Sequence, residues 1–377
     1  MNTEKSLPSM VYLLEKLVNT ESPSQDKSAV NKVGKIITEE VKSLGANIEI
    51  IQNETTGDHI IAIFNEKKEI KKNEDKGFLL LCHMDTVFPV GTIDSMPFYK
   101  KDGRIMGPGV ADMKSGAVIG LTAIRNMIEE GLMPTVPITI LFTSDEEIGS
   151  RTSKGLIKEL AWKSRLVLVL EPGLPDGSIK TWRKGVGSFH IEVHGRAAHS
   201  GGKHENGRNA IEELAHQVIR VQNLTDYDLG TTLNVGVFKG GTVVNVVPDL
   251  AWMDVDLRVM IPGEAERIVK EINQLKPVLQ GTSIKISGGL NRPPMPYDDL
   301  MRSTFNKAKK IATRIGIPLI ASGTGGASDG NFIALLGIPV LDGMGASGGD
   351  YHSENEYIIE ESLISRTQLV SAILQNW

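Results

Sequence analysis

Four short segments place imidazole and carboxylate side chains where apolar runs stop. LLLCHMD carries His83 and Asp85, GPGVADMKSG carries Asp112, TSDEEIGS carries Glu146 and Glu147, and LVLVLEPG carries Glu171, while a late histidine, His352 in GGDYHSENE, can join them. Imidazole and carboxylate groups suit zinc, and two metal ions that share one bridging carboxylate need about five such ligands. His83, Asp112, Glu147, Glu171 and His352 supply that set. In the H-x-D spacing, Asp85 is near enough to accept the second N–H of His83 and fix the ring.

Each residue also has a plainer explanation. A histidine after a strand is usually satisfied by backbone groups, and paired glutamates usually form a solvated face. The context of Glu146-Glu147 argues otherwise, because the pair follows the apolar run ITILFTS and precedes a Gly-Ser turn. Glu171 closes another apolar run, where a carboxylate needs a partner or a cation. Coincidence at all of these positions favours a metal site.

Chemistry in open α/β sheets gathers at the carboxyl ends of strands, so the elements must bring these run ends together. A chain of 377 residues exceeds what one core usually supports and predicts two domains. Helical periodicity marks helices near 6–19 and 27–44, the second closed by Gly45. Apolar runs at Ile60 to Phe64, Phe78 to Cys82, Ile138 to Phe142 and Leu166 to Leu170 read as buried strands of a layered α/β domain. Glu66 to Lys76 reads as a solvated loop. From about Val186 the pattern becomes strand 187–194, helix 207–222, strands 232–238 and 250–260, helix 264–275 and strand 283–287. That β-α-β-β-α-β order is the ferredoxin-like unit, a module that can be inserted into another domain. The predicted boundaries are 1–184 and 294–377 for the first domain and 185–293 for the insert. A helix at 298–315, a strand at 338–341 and a closing helix at 361–375 complete the first domain.

Composition narrows the function classes. Hydrophobic residues make up 40% and charged residues 23%, as in an ordinary folded protein, and a net charge of −5 supplies no broad field for nucleic acid or anionic membrane. The start, MNTEKSLPSM, lacks the basic cluster and apolar run of a secretory signal. The single cysteine, Cys82, permits no intrachain disulfide and no thiolate-only zinc cage. Alternation along its strand points Cys82 away from the face that His83 uses. A cytoplasmic protein is expected.

The ordered segments CHMDTV, GPGVADMKSG, TSDEEIGS, LEPG, HGRAAHSGG, VVNVVPD and HSENE span nearly the whole chain. Together they resemble the dizinc exopeptidase family of glutamate carboxypeptidases, acetylornithine deacetylases and succinyl-diaminopimelate desuccinylases. The resemblance implies a zinc-exopeptidase catalytic domain, with helices on both faces of a mixed sheet, and a ferredoxin-like lid and dimerisation insert. By resemblance, His83 and Glu171 hold one divalent ion, Glu147 and His352 the other, and Asp112 bridges them, most simply as two zinc ions. Glu146 is then the general base, since a carboxylate engaged as a strong metal ligand is a poor one. A cis peptide bond is implied after the bridging aspartate, at Asp112–Met113. His199, in AAHSGG, is similar to the histidine that stabilises the tetrahedral oxyanion, often from the other subunit of a dimer.

Asn245 in VVNVVP, Arg258 in DVDLRV and Arg292 in LNRPP resemble the carboxylate-binding set of the glutamate carboxypeptidase branch, whose arginines select a free carboxyl terminus. Arg258 has a second explanation as a strand-face residue paired with Asp256 or Asp254. Lys180 reads as an exposed lysine, and His194 and His204 as surface histidines. TGGASDGNF, Thr324 to Phe332, is similar to the family's glycine-rich turn beside the cleft. The leading expectation is a carboxypeptidase acting on a short peptide or N-acyl amino acid, with the insert closing over substrate by hinge motion near Arg183 to Val186 and Arg292 to Pro296. An N-deacylase, desuccinylase or di- or tripeptidase shares the same chemistry. A catalytically silent scaffold on this fold is the rival from another class, and the presence of Glu146 and every ligand weighs against it.

Overall fold

A computed structural model describes residues 3–66 and 76–377, so most of the loop expected over Glu66 to Lys76 lies outside the described residues. The chain divides into two compact units, residues 1–182, 297–323 and 328–377 forming the first, and 183–296 with 324–327 the second. No helix among the described residues is long and apolar enough to cross a membrane.

The first unit is built on an eight-stranded mixed sheet ordered Asn47–Ile51, His59–Phe64, Ile138–Thr143, Gly77–His83, Ser164–Val169, Val340–Asp342, Ile179–Arg183, Ala321–Thr324. Ile138–Thr143, Gly77–His83 and Ser164–Val169 run parallel side by side, with His83 opposite Thr143 and Leu81 opposite Val169. Every residue of Gly77–His83 is buried, as in a strand covered on both faces. Helix Lys27–Ser43 starts where the Asp26 carboxylate accepts the Ala29 amide, and ends at Leu44 with Gly45 in the left-handed region at φ 81°. A helix at Ser115–Glu129, not foreseen from periodicity, is apolar around nearly its whole circumference and so presents no polar stripe to read. A smaller sheet of four short strands, Gly348–Gly349, Tyr357–Ile359, Arg104–Met106 and Tyr99–Lys101, draws the late segment around His352 toward the segment before Asp112.

The second unit is an antiparallel sheet ordered Thr232–Gly240, Leu250–Val259, Gly185–His194, Ser283–Arg292, with helices Ala210–Gln222 and Pro262–Asn273. This is the ferredoxin-like arrangement expected from the element order. Ala251, Met253, Val255, Leu257 and Val259 alternate inward to meet Leu214, Val221, Ile268 and Ile272 in a core of the unit's own. The last strand runs to Arg292 rather than stopping at Ser287. Gly288 and Gly289 continue the ladder opposite Phe189 and Ser188, and a Cβ on Gly288 would lie 2.2 Å from the Ser188 carbonyl oxygen, so that position needs glycine.

Candidate metal centre

The parallel strands of the first unit deliver their chemistry at their carboxyl ends. His83 ends its strand, Glu146 and Glu147 open a short turn after Ile138–Thr143, and Glu171 follows Ser164–Val169. His83 Nδ1 donates to the Asp85 carbonyl oxygen at 2.9 Å, which leaves Nε2 of the neutral ring for a cation. Nε2 lies 2.9 Å from Asp112 Oδ1 and 3.6 Å from Glu171 Oε1. The other oxygen of Asp112, Oδ2, is 3.1 Å from His352 Nε2, which is 3.4 Å from Glu147 Oε2. Asp112 thus turns one oxygen to each imidazole. The bond after it, Asp112–Met113, is cis.

Asp85 sits differently from the role drawn from spacing. The acceptor of His83 Nδ1 is the Asp85 backbone carbonyl, while the Asp85 carboxylate is 3.6 Å from that nitrogen. The fully buried carboxylate instead accepts the Ser24 hydroxyl at 2.6 Å and the amides of Glu146 and Glu147 at 3.2 and 3.1 Å. It therefore fixes the turn bearing the two glutamates as well as neighbouring His83.

The electrostatics describe a pocket that attracts positive charge. Burial alone would push the Asp112 carboxyl up, but hydrogen bonds from His352 and His83, with their charges, hold it well below the usual carboxylate range. Burial works against a charged His83, yet its contacts with Asp112 and Glu171 raise it well above the ordinary imidazole value. His352 is pushed up to about 11, chiefly by its hydrogen bonds to Asp112 and Glu147. Burial and the Asp112 charge push Glu147 up to about 7.

Divalent cations fit this donor set. Ligand atoms of His83, Asp112 and Glu147 lie within 4.8 Å of one another, as do those of His83, Glu146 and Glu171. Glu147 Oε1 is buried and accepts no hydrogen bond among the described residues, as expected of an oxygen meant for a cation.

Two residues not singled out in the sequence support this centre. Glu356 is fully buried, and its carboxylate accepts the amides of Ala111 at 2.8 Å, Asp112 at 3.0 Å and Gly109 at 3.4 Å. Burial pushes it up to about 8 against the pull of those amides. Lys114, also buried, donates to the Thr20 carbonyl at 2.9 Å, and burial pushes it down to about 7. The HSENE segment carried a signal for Glu356, since a carboxylate four residues past a ligand returns to the same neighbourhood when the chain turns there.

The remaining predicted residues lie in the second unit. His199 is exposed, and its Nδ1 accepts the Gly201 and Gly202 amides, both at 3.1 Å, so the neutral ring carries its proton on Nε2. The Asn245 carbonyl accepts the Ser200 amide at 3.0 Å, next to His199. Arg258 is gripped by Asp256 through Nε at 2.9 Å and Nη2 at 3.1 Å, the strand-face pairing named above, while Nη1 reaches the Gly325 carbonyl at 3.4 Å. Arg292 is buried and donates to Asn291 Oδ1 at 3.1 Å. His194 and His204 are exposed.

Two expectations elsewhere had opposite outcomes. Lys180 is not exposed; it is 4% accessible, with Nζ 5.5 Å from the Tyr351 ring centre, because its strand is interior to the sheet. Cys82 is a buried core residue, as alternation required. In the glycine-rich segment, a Cβ on Gly330 would lie 2.7 Å from Asp342 Oδ2, so that glycine serves close packing.

Parallel strands delivering a carboxylate–imidazole cluster, in an α/β unit interrupted by a ferredoxin-like one, define a metallohydrolase. The chain matches the model of Peptidase family M20/M25/M40 over residues 79–376 and belongs to that family. It is 30% identical over 373 residues to carboxypeptidase G2 of Pseudomonas sp. (strain RS-16), covering 97% of this chain and 88% of that protein. It is 26% identical over 305 residues to succinyl-diaminopimelate desuccinylase of Delftia acidovorans, covering 76% of this chain and 78% of that one. The crystal structure of aminopeptidase PepT from Bacillus cereus superposes with a TM-score of 0.78 at 26% identity, covering 98% of both chains. The protein is an enzyme that hydrolyses peptide bonds, in a family whose members depend on metal.

Proposed function

We propose that this enzyme removes the carboxyl-terminal amino acid from a short peptide or N-acyl amino acid, in the manner of a glutamate carboxypeptidase. The observation that carries the chemistry is Asp112 presenting one oxygen to His83 and the other to His352. The likeness to carboxypeptidase G2 over 97% of the chain favours this branch.

His83 and Glu171 would hold one divalent ion, His352 and Glu147 the other, with Asp112 shared. Zinc is the natural choice for this ligand set. Bound ions of this kind acidify water and polarise a carbonyl. Glu146 takes a proton from water as the water oxygen bonds to the scissile carbonyl carbon. When the C–N bond breaks, Glu146 returns that proton to the departing amine nitrogen. Asp85 keeps Glu146 and Glu147 in place through their amides. His199, with its proton on Nε2, is assigned to the developing oxyanion, and Asn245, Arg258 and Arg292 to the substrate carboxylate. The second unit is proposed to act as a lid and to form a homodimer, and the enzyme to work in the cytoplasm.

A second assignment keeps the same chemistry but changes the substrate. The desuccinylase and aminopeptidase likenesses favour N-deacylation or cleavage that reads a free amino end. A panel of dipeptides, N-acyl amino acids and carboxyl-terminally amidated peptides, assayed with zinc-loaded protein, separates them. Cleavage that requires the free carboxyl terminus supports the carboxypeptidase; equal cleavage of amidated peptides overturns it.

A further inference from the structure

Glu356 is a fully buried carboxylate that the hydrolytic chemistry does not use directly. Its oxygens are committed to backbone: Oε1 accepts the amides of Ala111 at 2.8 Å and Asp112 at 3.0 Å, and Oε2 accepts that of Gly109 at 3.4 Å. These amides belong to the loop that carries the shared aspartate. Four residues earlier on the same segment, His352 meets the side chain of that aspartate at 3.1 Å. The segment therefore holds Asp112 at both ends, by its carboxylate through His352 and by its amide through Glu356.

The surrounding backbone explains why such a clamp is needed. Gly107 and Gly109 have φ of 148° and 70°, so the loop enters Asp112 through glycine conformations that do not by themselves fix a direction. The loop begins just after Arg104–Met106, which pairs with Tyr357–Ile359, Tyr357 standing opposite Met106. Glu356 thus lies where the late strand begins and the early one ends, and its side chain spans the gap the ladder leaves. A buried amide left without an acceptor is costly, so one side chain accepting three loop amides at 2.8–3.4 Å is a strong local constraint.

We infer that Glu356 is a positioning residue of the metal centre: it fixes the backbone of the Gly109–Asp112 loop so that Asp112 Oδ1 stays directed at His83 and Oδ2 at His352. This rests on the assignment of Asp112 as the shared ligand. Groups behind metal ligands typically change metal affinity by about 10–100-fold when removed.

The test uses the full chain, purified metal-free and titrated with Zn²⁺ by calorimetry and with Co²⁺ by absorption spectroscopy. Wild type should bind two ions. Glu356→Ala should bind the weaker ion about 10–100-fold less tightly and show an altered cobalt spectrum. Glu356→Gln, which keeps the volume and the Oε1 acceptor, should recover part of both. A residue that merely supports the fold would lower the melting temperature and leave affinity and cobalt spectrum of the folded protein unchanged. Wild-type affinities and spectra in both variants would overturn the inference. If Glu356→Ala does not fold, Glu356→Gln decides alone. Failure of wild type to bind any divalent ion would overturn the metal centre itself, and this inference with it.

Discussion

Glu146 and Glu147 are neighbours in the chain but keep different company. Glu147 groups with His83 and Asp112, and Glu146 with His83 and Glu171. Glu147 also faces His352 at 3.4 Å and keeps a buried oxygen that accepts no hydrogen bond among the described residues, as suits a ligand. On its proposed role as base rather than ligand, Glu146→Gln should leave bound metal at wild-type stoichiometry, measured by elemental analysis, while turnover falls by about 10²–10⁴-fold. Near-normal turnover in that variant would remove Glu146 from the base role. Asp112→Asn should do the reverse and lower metal content itself. His83, Glu147 and Glu171 were legible because each follows an apolar run, where a charged group needs a reason, whereas Asp112 and His352 were legible through the family resemblance of their segments. Glu356 was not legible in the same way, because its partners are backbone amides nearly 250 positions away, and amides leave no trace in residue type. Lys180 was misjudged since a lysine in a short strand gives no sign of whether that strand is interior.

The second unit shows how one side chain can secure an element. Glu213, on helix Ala210–Gln222, is fully buried and accepts the amides of Val278 at 2.8 Å and Leu279 at 2.6 Å, with Thr282 and Gln217 also donating to it. Burial pushes its carboxyl up, but these hydrogen bonds, that of the Leu279 amide foremost, hold it below the usual value. A depressed carboxyl contributes stability that is present above its unfolded value, about 4.3, and is lost as pH falls through the lower folded value. Glu213→Gln should therefore cost roughly 1.5–3 kcal/mol at neutral pH in urea unfolding. The gap from wild type should narrow as pH drops below that range; a gap independent of pH would mean that shape, not charge, is responsible. Strands and amphipathic helices of this unit were legible from period alone. The Ser115–Glu129 helix was hidden by burial on nearly every side, and the Ser283–Arg292 strand by glycines that look like punctuation.

At the scale of the whole molecule, metal should stabilise one unit and not the other. The candidate ligands of the centre lie in the first unit, and no comparable His, Cys, Asp and Glu group occurs in the second among the described residues. A ligand held only by the folded state adds about 2.7 kcal/mol at a hundredfold excess over its Kd. Chelation followed by calorimetry should lower the transition of the first unit and leave that of the second in place; a uniform shift would mean that the two unfold as one. The division into an interrupted α/β unit and an insert was visible in the element order, whereas the assignment of 324–327 to the second unit was not. The centre also has a consequence for biosynthesis. His352 lies 240 positions after Asp112, and the insert is translated between them. On the proposed ligand assignment, a ribosome making this chain completes the His83–Glu171 half before the insert and the other half only after it. A nascent chain then carries no finished centre until the segment past the insert has emerged, and other polypeptides growing nearby are spared its activity until then.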